Sequence, residues 1–396
     1  MSLPLEQVRV LDLSRVLAGP YCTMLLGDLG ADVVKVERPQ MGDDTRQWGP
    51  PFIAGQSAYF LCCNRNKRSL TLNLKSQRGQ EIVRSLATRS DVLVENFLPG
   101  TLDALGLGYE SLSRINPRLV FCSITGFGQT GPLRNEPGYD IMIQARAGVM
   151  SITGEPDGPP MKVGVAISDV TAGLFAANAI LAALLARERT GRGDRIDISL
   201  YDSTVAWLAN VGSNFLVSGE VPRRHGTAHP NIVPYQAFQT ADGSLIVAVG
   251  NDTQFQRFCD VIGRSDLAVD PRFRTNSLRV QHRDDLVPLL QTLFQRRSLA
   301  EWLIAFEQAQ VPAGPVNTID RVFNDPHVSA RDMVWTVSHP TAGEIKLVGS
   351  PLKFAAADPS PRQPPPLLGE HTEQILRELL DISEFETEQL RSQCVV

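Results

Sequence analysis

The chain has 396 residues, which is more than a single hydrophobic core usually supports, so two domains are expected. Its 43% hydrophobic and 20% charged residues are typical of a globular protein and exclude a disordered chain. A formal net charge of −5, without a long run of Lys and Arg, argues against nucleic acid as a partner.

The first half of the chain predicts a parallel α/β sheet. Runs of β-branched residues at 8–13 and 32–38 enclose a helical pattern at 20–29, which is the βαβ unit of such a sheet. Further strands are predicted at 70–74, 92–95, 119–123 and 195–200, and helices at 76–88, from Asp169 onward and at 203–215, where Ser203 is the expected N-cap. We therefore predict a large, doubly wound, Rossmann-like α/β domain over residues 1–217.

The second half predicts a linker, a smaller domain and a returning tail. Residues 218–234 are rich in Gly, Pro and turn residues, which indicates a linker. Residues 235–325 predict a small α+β domain with a hairpin at Asp242-Gly243 and helices at 253–262, 283–294 and 299–309. A second hairpin around Gly343 and a final helix, opened by a capping box of Ser383 and Glu386, follow. We expect residues 326–396 to complete the large domain.

Cysteine spacing and hydropathy bear on the compartment. The six cysteines show neither a CxxC pair nor metal-ligand spacing, which predicts a reduced, cytoplasmic protein without a metal. The apolar segment 170–186 approaches the length that spans a bilayer. It contains Thr171, Gly173 and Asn178, and a polar loop and a strand follow it, so we interpret it as a helix packed against the sheet and expect no membrane partner.

Few residues of the large domain suit acid–base or nucleotide chemistry. All six histidines lie beyond residue 224, so a hydrolase triad centred there is not expected. The first βα turn lacks GxGxxG, which makes a dinucleotide site a weak interpretation. Arg38, after the second strand, suits an adenine face or a phosphate, with a solvated arginine as the alternative. The basic turn NRNKRS, residues 64–69, either holds phosphates or is a solvated loop.

Asp169 stands at the head of an otherwise apolar helix and allows two interpretations. Aspartate is a favoured N-cap, and capping stabilises a helix by about 1 kcal/mol. A carboxylate kept ionised by the helix N-terminus is also a nucleophile for an acyl carbon, and the apolar helix would keep water from the resulting anhydride. Spacing alone favours the cap.

A set of motifs extends along nearly the whole chain. They are, in order, VLDLSRVLAGPYCTMLLGDLGADVVKVERP, NRNKRSLTLNLK, DVLVENFLPG, SITGFGQTGP, GYDIMIQARAGVMSITG and GVAISDVTAGLFAANAILAAL. Because these motifs occur in this order and spacing, the chain resembles the class III CoA-transferases. The segments GDDTRQWGPPF, GTAHPNIVPYQAF and PPPLLGEHT make it most similar to the succinyl-CoA:glutarate branch of that family.

The resemblance implies a mechanism, a cofactor site and an assembly. Asp169 would be the catalytic nucleophile, forming an acyl-aspartyl anhydride and an aspartyl-CoA thioester in turn. Coenzyme A would bind with Arg38 at its adenine, and Gly250 and Asn251 would belong to a loop over the substrate. The chain would form an obligate homodimer of interlocked rings, with an acyl-CoA and a carboxylic acid as its small-molecule partners. The other residues expected to line the CoA site are Leu17, Ala18, Leu72, Asn73, Leu74, Lys75, Asn96, Phe97, Tyr139 and Asp140.

Departures from the family pattern bear on the substrate. Leu17 replaces the Gln of formyl-CoA transferases, and Leu98 and Ala104 stand where basic residues are common, so formyl or oxalate specificity is not expected. Tyr139 replaces the His that related α-methylacyl-CoA racemases use, which disfavours that alternative. We therefore predict transfer of CoA from a donor such as succinyl-CoA to a dicarboxylate such as glutarate.

Two points stay open at this stage. A non-catalytic acyl-CoA-binding protein, in which Asp169 is only a cap, is the alternative from a different class. Arg46, Arg65 and Arg224 are equal candidates for the acceptor's distal carboxylate.

Overall fold

The computed structural model describes residues 3–396 and contains two compact units. The first unit comprises the chain up to Val149, Lys162–Ser218 and Pro326–Val396. The second comprises Met150–Met161 and Gly219–Asp325. The short segment 150–161 thus belongs to the second unit, although it precedes the longest helix of the first.

The strands of both units are short. They are β1 (Arg9–Asp12), β2 (Asp32–Glu37), β3 (Phe52–Ile53), β4 (Gln56–Ser57), β5 (Lys67–Thr71), β6 (Val92–Glu95), β7 (Val120–Thr125), β8 (Arg195–Ser199), β9 (Tyr235–Gln239), β10 (Ser244–Ala248), β11 (Ala313–Pro315), β12 (Val334–His339) and β13 (Gly343–Val348).

The helices range from single turns to a helix of 24 residues. They are α1 (Ala18–Asp28), α2 (Ala58–Leu61), α3 (Gln77–Ala87), α4 (Thr101–Ala104), α5 (Tyr109–Ile115), α6 (Asp140–Arg146), α7 (Val149–Ile152), α8 (Ile167–Thr190), α9 (Leu200–Trp207), α10 (Ala209–Ser218), α11 (Asp252–Val261), α12 (Asp266–Val269), α13 (Asn276–Gln281), α14 (Arg283–Phe294), α15 (Leu299–Gln308), α16 (Ile319–Phe323), α17 (Pro326–Ala330), α18 (Thr372–Leu380) and α19 (Glu384–Ser392). A 3-10 helix spans Asp44–Gln47.

A six-stranded parallel sheet forms the centre of the first unit, which confirms the predicted α/β class. Its strand order is β5-β2-β1-β6-β7-β8. The chain therefore moves outward from β1 through β2 to β5, returns beside β1 with β6, and continues to the other edge. In open α/β sheets, ligands bind outside the carboxyl ends of the strands where the order reverses. Here that point lies between β1 and β6.

Each face of this sheet is covered by an apolar cluster. On one face, α1 and α8 pack against β-strand residues such as Val10, Val33 and Val120. On the other face, α3 and the tail helices α18 and α19 pack on the sheet, with Ile375 and Leu376 fully buried beside strand residues. Ser383 and Glu386 form the predicted capping box at the start of α19.

The second unit has a small antiparallel sheet of order β11-β10-β9. The predicted hairpin is present, since β9 and β10 pair antiparallel around the turn at Asp242-Gly243. Aromatic side chains fill the core below the sheet, with Phe258 stacked on Phe306 and Phe294 edge-on to Trp302.

Several element boundaries differ from the predictions. Helix α9 begins at Leu200 with Ser199, and not Ser203, as its N-cap. It ends at Trp207, and α10 begins at Ala209, which has a positive φ, so the predicted single helix is two. Strand β5 begins at Lys67 rather than at residue 70. The polar residues Lys67 and Ser69 pair with buried carboxylates, which apolar periodicity does not reveal.

Among the described residues, one helix, α8, is long and apolar enough to cross a membrane by length and composition. It packs against α1 and the sheet, as predicted for this segment, through residues such as Ala172, Ala176 and Ile180. Leu174, Phe175 and Leu185 on its other side are exposed in the single chain.

The packing of the tail predicts a large stability effect at Leu376. Leu376→Ala removes a fully buried side chain, so we expect the free energy of unfolding of the first unit to fall by about 2–5 kcal/mol in urea denaturation. Phe385→Ala, in the same tail but at a 72% exposed position, is the control and should change it by less than about 0.5 kcal/mol. Equal effects of the two variants would contradict the burial of Leu376 against the sheet.

Candidate active site and cofactor cavity

Asp169 is the third residue of α8, so the interpretation of Asp169 as the N-cap is wrong. The N-cap is Ala166, whose side chain offers no hydrogen bond. The cap is supplied from another helix, because Asp140 at the start of α6 accepts a hydrogen bond of 2.9 Å from the backbone N–H of Ser168. The other carboxylate oxygen of Asp140 accepts from the fully buried Gln144 at 2.7 Å.

The carboxylate of Asp169 also contacts the N-terminus of a second helix. The backbone N–H of Ala18, the first residue of α1, donates a hydrogen bond to it. This contact requires the two helices to lie very close together. A Cβ on Gly173, one turn after Asp169, would lie 2.8 Å from the carbonyl oxygen of Ala18, which is closer than atoms pack. Glycine at 173 therefore permits the approach that brings Ala18 to Asp169.

The electrostatic environment of Asp169 opposes its ionisation. Burial is the largest effect and the negative charge of Asp140 adds to it, so the pKa of Asp169 rises from 3.8 to about 7, against the opposite effect of the Ala18 N–H. We expected the helix N-terminus to keep this carboxylate ionised, but the effect of burial on its pKa is larger. Tyr59 lies close enough to interact with this carboxylate. Burial, and after it the charge of Asp169, raise the pKa of Tyr59 to about 12.

A cavity of about 520 Å³ opens at the carboxyl ends of neighbouring strands of the parallel sheet. Segments that follow β1, β2, β5 and β6 line it, as expected for a binding crevice at the switch in strand order. Arg15 and Cys394 also line it. The predicted CoA-site residues that it brings together are Arg38, Leu72, Asn73, Leu74, Lys75 and Phe97.

The other predicted cofactor residues lie elsewhere. Leu17 and Ala18 are buried at the start of α1, beside Asp169, and Asp140 caps α8. The side chain of Asn96 donates to the carbonyl of Arg15 at 2.6 Å and accepts from its N–H at 2.9 Å, so Asn96 holds the loop after β1. Tyr139, 65% exposed, precedes α6.

Gly250 and Asn251 belong to the second unit. Asn251 is the N-cap of α11 and accepts from the N–H of Gln254 at 2.9 Å. The N–H of Gly250 donates to the side chain of Gln254 at 2.8 Å. A local capping motif thus accounts for the contacts of both residues, and their predicted role at the substrate stays a prediction.

The three arginines considered for the acceptor carboxylate are engaged in internal contacts. Arg46 forms a two-pronged pair with Glu37, with contacts of 2.8 and 2.7 Å. Arg224 donates to main-chain carbonyls of the second unit, including that of Gly158 at 2.7 Å. Arg46 and Arg224 are therefore not free cations in this conformation, and Arg65 is paired with Asp28, so none of the three stands out for the acceptor.

The segment NRNKRS is not the solvated or phosphate-holding loop considered from the sequence. Arg65 is buried and pairs with both oxygens of Asp28 at 2.9 and 2.6 Å. Lys67 is fully buried and contacts Asp12 at 3.2 Å. These cations neutralise interior carboxylates, so they are not available to a ligand.

A buried polar network lies beneath the cavity, and the sequence analysis missed it. Lys35, in the centre of β2, donates to Asp43 at 2.9 Å and to the carbonyl of Ser14 at 3.0 Å. Burial alone would raise the pKa of Asp12, but the charges of Lys67 and Lys35, together with hydrogen bonds from Ser14 and Thr23, hold that pKa below its usual value. A charged residue in the middle of the strand DVVKVE was the available signal.

Comparison with known proteins identifies the family. The sequence matches CoA-transferase family III over residues 5–372. The chain belongs to CoA-transferase family III. Its match covers both units, which confirms the resemblance inferred from the motifs and the assignment as a CoA-transferase enzyme.

Relatives of this CoA-transferase match along almost the entire chain. It is 49% identical to the succinyl-CoA:glutarate CoA-transferase of Mus musculus, covering 98% of this chain and 89% of that protein. It is 46% identical to the succinate–glutarate CoA-transferase of Agrobacterium fabrum, covering 97% and 98%. The crystal structure of a CAIB/BAIF family protein from Brucella suis has a TM-score of 0.85 at 46% identity and covers 96% of this chain and 100% of that one.

Within the residues described, no cluster of three or more His, Cys, Asp or Glu side chains has the arrangement of a metal site. All six cysteines of the CoA-transferase are free thiols. The polar groups that act on Asp169 are instead the main-chain N–H of Ala18 and the carboxylate of Asp140.

The raised pKa of Asp169 predicts a pH-dependent stability effect. Between pH 4 and 7 the unfolded chain loses the Asp169 proton while the folded chain retains it, so the folded state is destabilised as the pH rises through this window. Asp169→Asn removes the charge, and we expect it to raise the free energy of unfolding at pH 8 by about 1–3 kcal/mol. The gain should vanish toward pH 4 in urea titrations. The exposed Asp202→Asn is the control, and a gain for Asp169→Asn that is independent of pH would contradict this assignment.

Proposed function

We propose that this family III CoA-transferase moves CoA from succinyl-CoA to a dicarboxylate such as glutarate, with Asp169 as the nucleophile. The names of the relatives from Mus musculus and Agrobacterium fabrum support these substrates. The observation that carries the mechanism is the buried carboxylate of Asp169 in the first turn of α8, which accepts a hydrogen bond from the Ala18 N–H at the start of α1.

The proposed reaction proceeds through four acyl transfers on Asp169. An oxygen of Asp169 attacks the thioester carbon of succinyl-CoA, the CoA thiolate leaves, and a mixed anhydride forms. The thiolate then attacks the aspartyl carbonyl, releasing succinate and leaving an aspartyl-CoA thioester. The acceptor carboxylate displaces the thiolate to form a second anhydride. The thiolate finally attacks the acceptor's acyl carbon, which yields the new thioester and restores the Asp169 carboxylate.

The environment of Asp169 suits this chemistry in two ways. Because burial and Asp140 raise its pKa to about 7, its carboxylate is more basic, and hence more nucleophilic, than an ordinary aspartate, yet it is ionised in a large fraction of molecules at neutral pH. Leu17, Cys63, Tyr59 and Ala166 form an apolar cluster at the start of α1 and α8. Such a wall excludes the water that would hydrolyse an anhydride.

We propose that the cavity at the strand ends holds the nucleotide part of CoA. Arg38 is exposed at its rim, where its planar guanidinium can stack on adenine or bind phosphate. Leu72, Leu74 and Phe97 supply apolar surface. These residues follow successive strands, so the sheet holds them at fixed spacing.

We further propose the interlocked homodimer, in a cytoplasmic setting that keeps the thiols reduced. The exposed apolar side chains of α8, α9 and α10 support it, because soluble monomers seldom expose apolar groups in such density. They include Leu174, Phe175, Leu185, Trp207, Phe215, Leu216 and Val217. A second copy of the chain would cover them.

The covalent mechanism predicts a trapped adduct at Asp169. Incubation with succinyl-CoA followed by hydroxylamine should modify this residue, detected by peptide mass spectrometry, and Asp169→Ala should lower transfer to glutarate at least about a thousandfold. The exposed Asp194→Ala serves as the control. If Asp169→Ala transfers CoA at the normal rate, the mechanism is wrong. If the wild type binds succinyl-CoA without any transfer, the non-catalytic binding protein is the better description.

The proposed role of Asp140 predicts a shifted pH profile. Because the nucleophile must be deprotonated, the rate of adduct formation should rise as the pH passes through about 7 and then level off. Asp140→Asn keeps an oxygen for the Ser168 N–H but removes the negative charge, so the midpoint should fall by about one pH unit. Single-turnover rates from pH 5 to 9 measure the midpoint. An unchanged midpoint would show that Asp140 does not act on the charge of Asp169.

A further inference from the structure

The rim of the cofactor cavity contains two arginines that share one carboxylate. Arg15, in the loop after β1, donates from Nη1 to Oδ2 of Asp44 at 2.7 Å. Arg38, after β2, donates from Nη2 to Oδ1 of the same side chain at 2.6 Å. Each guanidinium thus contacts its own oxygen of a single planar anion, and both arginines line the cavity.

Other cations of the cavity are not equivalent to these two. Lys35 is fully buried and committed to Asp43 and to the carbonyl of Ser14. Arg15 and Arg38 are 49% and 57% exposed, and Asp44 is 34% exposed. Ion pairs at such exposure add little stability because water screens them, so an incoming anion can replace Asp44 at little cost. Lys75 adds a third exposed cation to the lining.

The geometry points to a phosphate clamp: we propose that Arg15 and Arg38 together bind the 3′-phosphate monoester of CoA, and that Asp44 occupies the clamp until the phosphate displaces it. The two oxygens of a carboxylate are spaced nearly as those of a phosphate, and guanidinium groups bind both anions. The 3′-phosphate monoester carries two negative charges and can neutralise both arginines, whereas the Asp44 carboxylate carries only one. This inference rests on the proposed placement of CoA in the cavity.

The surrounding structure holds the clamp in position before ligand binds. Asn96 fixes the main chain of Arg15 through both its N–H and its carbonyl. Asp44 opens a 3-10 helix whose N-cap, Asp43, is held by the buried Lys35. The side chains of Arg15 and Asp44 take no part in these contacts, so substitutions there leave the two loops anchored.

Binding of CoA and of 3′-dephospho-CoA, measured by calorimetry, tests the clamp. Arg15→Ala should weaken CoA binding about tenfold or more, because a charged hydrogen bond is lost, and should change 3′-dephospho-CoA binding less than about twofold. Arg15→Lys should recover part of the loss. Asp44→Asn removes the competing anion and should tighten CoA, up to about tenfold, without tightening 3′-dephospho-CoA. Arg78→Ala, an exposed arginine outside the cavity lining, is the matched control.

The results separate this inference from the proposal on which it rests. Leu74→Trp fills the cavity and should abolish binding of both ligands. If CoA binds Leu74→Trp normally, CoA does not occupy the cavity, and both proposals fall. Suppose instead that Leu74→Trp blocks binding, but Arg15→Ala weakens the binding of CoA and of 3′-dephospho-CoA equally, or weakens neither. CoA then occupies the cavity, and only the phosphate clamp is overturned.

Discussion

The buried ion pairs formed by side chains of β1, β2 and β5 are the constraint on which the site depends. Asp12 of β1 pairs with Lys67 of β5, and Lys35 of β2 pairs with Asp43 in the loop after that strand. Removing one partner of such a buried pair costs about 3–5 kcal/mol. Lys35 also holds the carbonyl of Ser14, and Asp43 accepts from the N–H of Val16 at 3.2 Å. The loop that leads to Ala18, and hence to Asp169, is therefore fixed from beneath by a lysine.

Two opposing effects set the ionisation of Asp169. Helix N-termini favour a negative charge, and Asp169 lies in the first turn of α8 and accepts a hydrogen bond from the N–H of Ala18 at the start of α1. Burial and the neighbouring Asp140 disfavour the charge more strongly. The pKa of Asp169 therefore lies between two extremes. A fully exposed aspartate is always ionised but weakly basic, and a fully buried one does not lose its proton. Family III membership makes this balance relevant to acyl transfer.

Much of the fold follows from sequence pattern, whereas the pairings at the site do not. The alternation of β-branched runs with helical segments was sufficient to predict the parallel sheet. The capping box of α19 could be predicted because it needs only Ser383 and Glu386, three residues apart. The cap of α8 comes from Asp140, which lies 28 residues before Ser168, so no local pattern contains it. Arg46 and Arg65 had the appearance of free cations because their carboxylate partners are distant in sequence or lie on other elements. Of the expected CoA residues, six line one cavity because they follow adjacent strands.

The close approach of α8 to α1 at Gly173 has a consequence for how such an enzyme can diversify. The position of the Asp169 carboxylate, the proposed nucleophile, is set by the main chain, through the N–H of Ala18 and the absence of a Cβ at residue 173. Side chains around the site can therefore change in size and polarity without displacing this carboxylate. In such a scaffold the position of the proposed nucleophile does not depend on the side chains that would contact the acceptor acid. Those side chains can therefore change to fit new acceptor acids while the chemical step is retained.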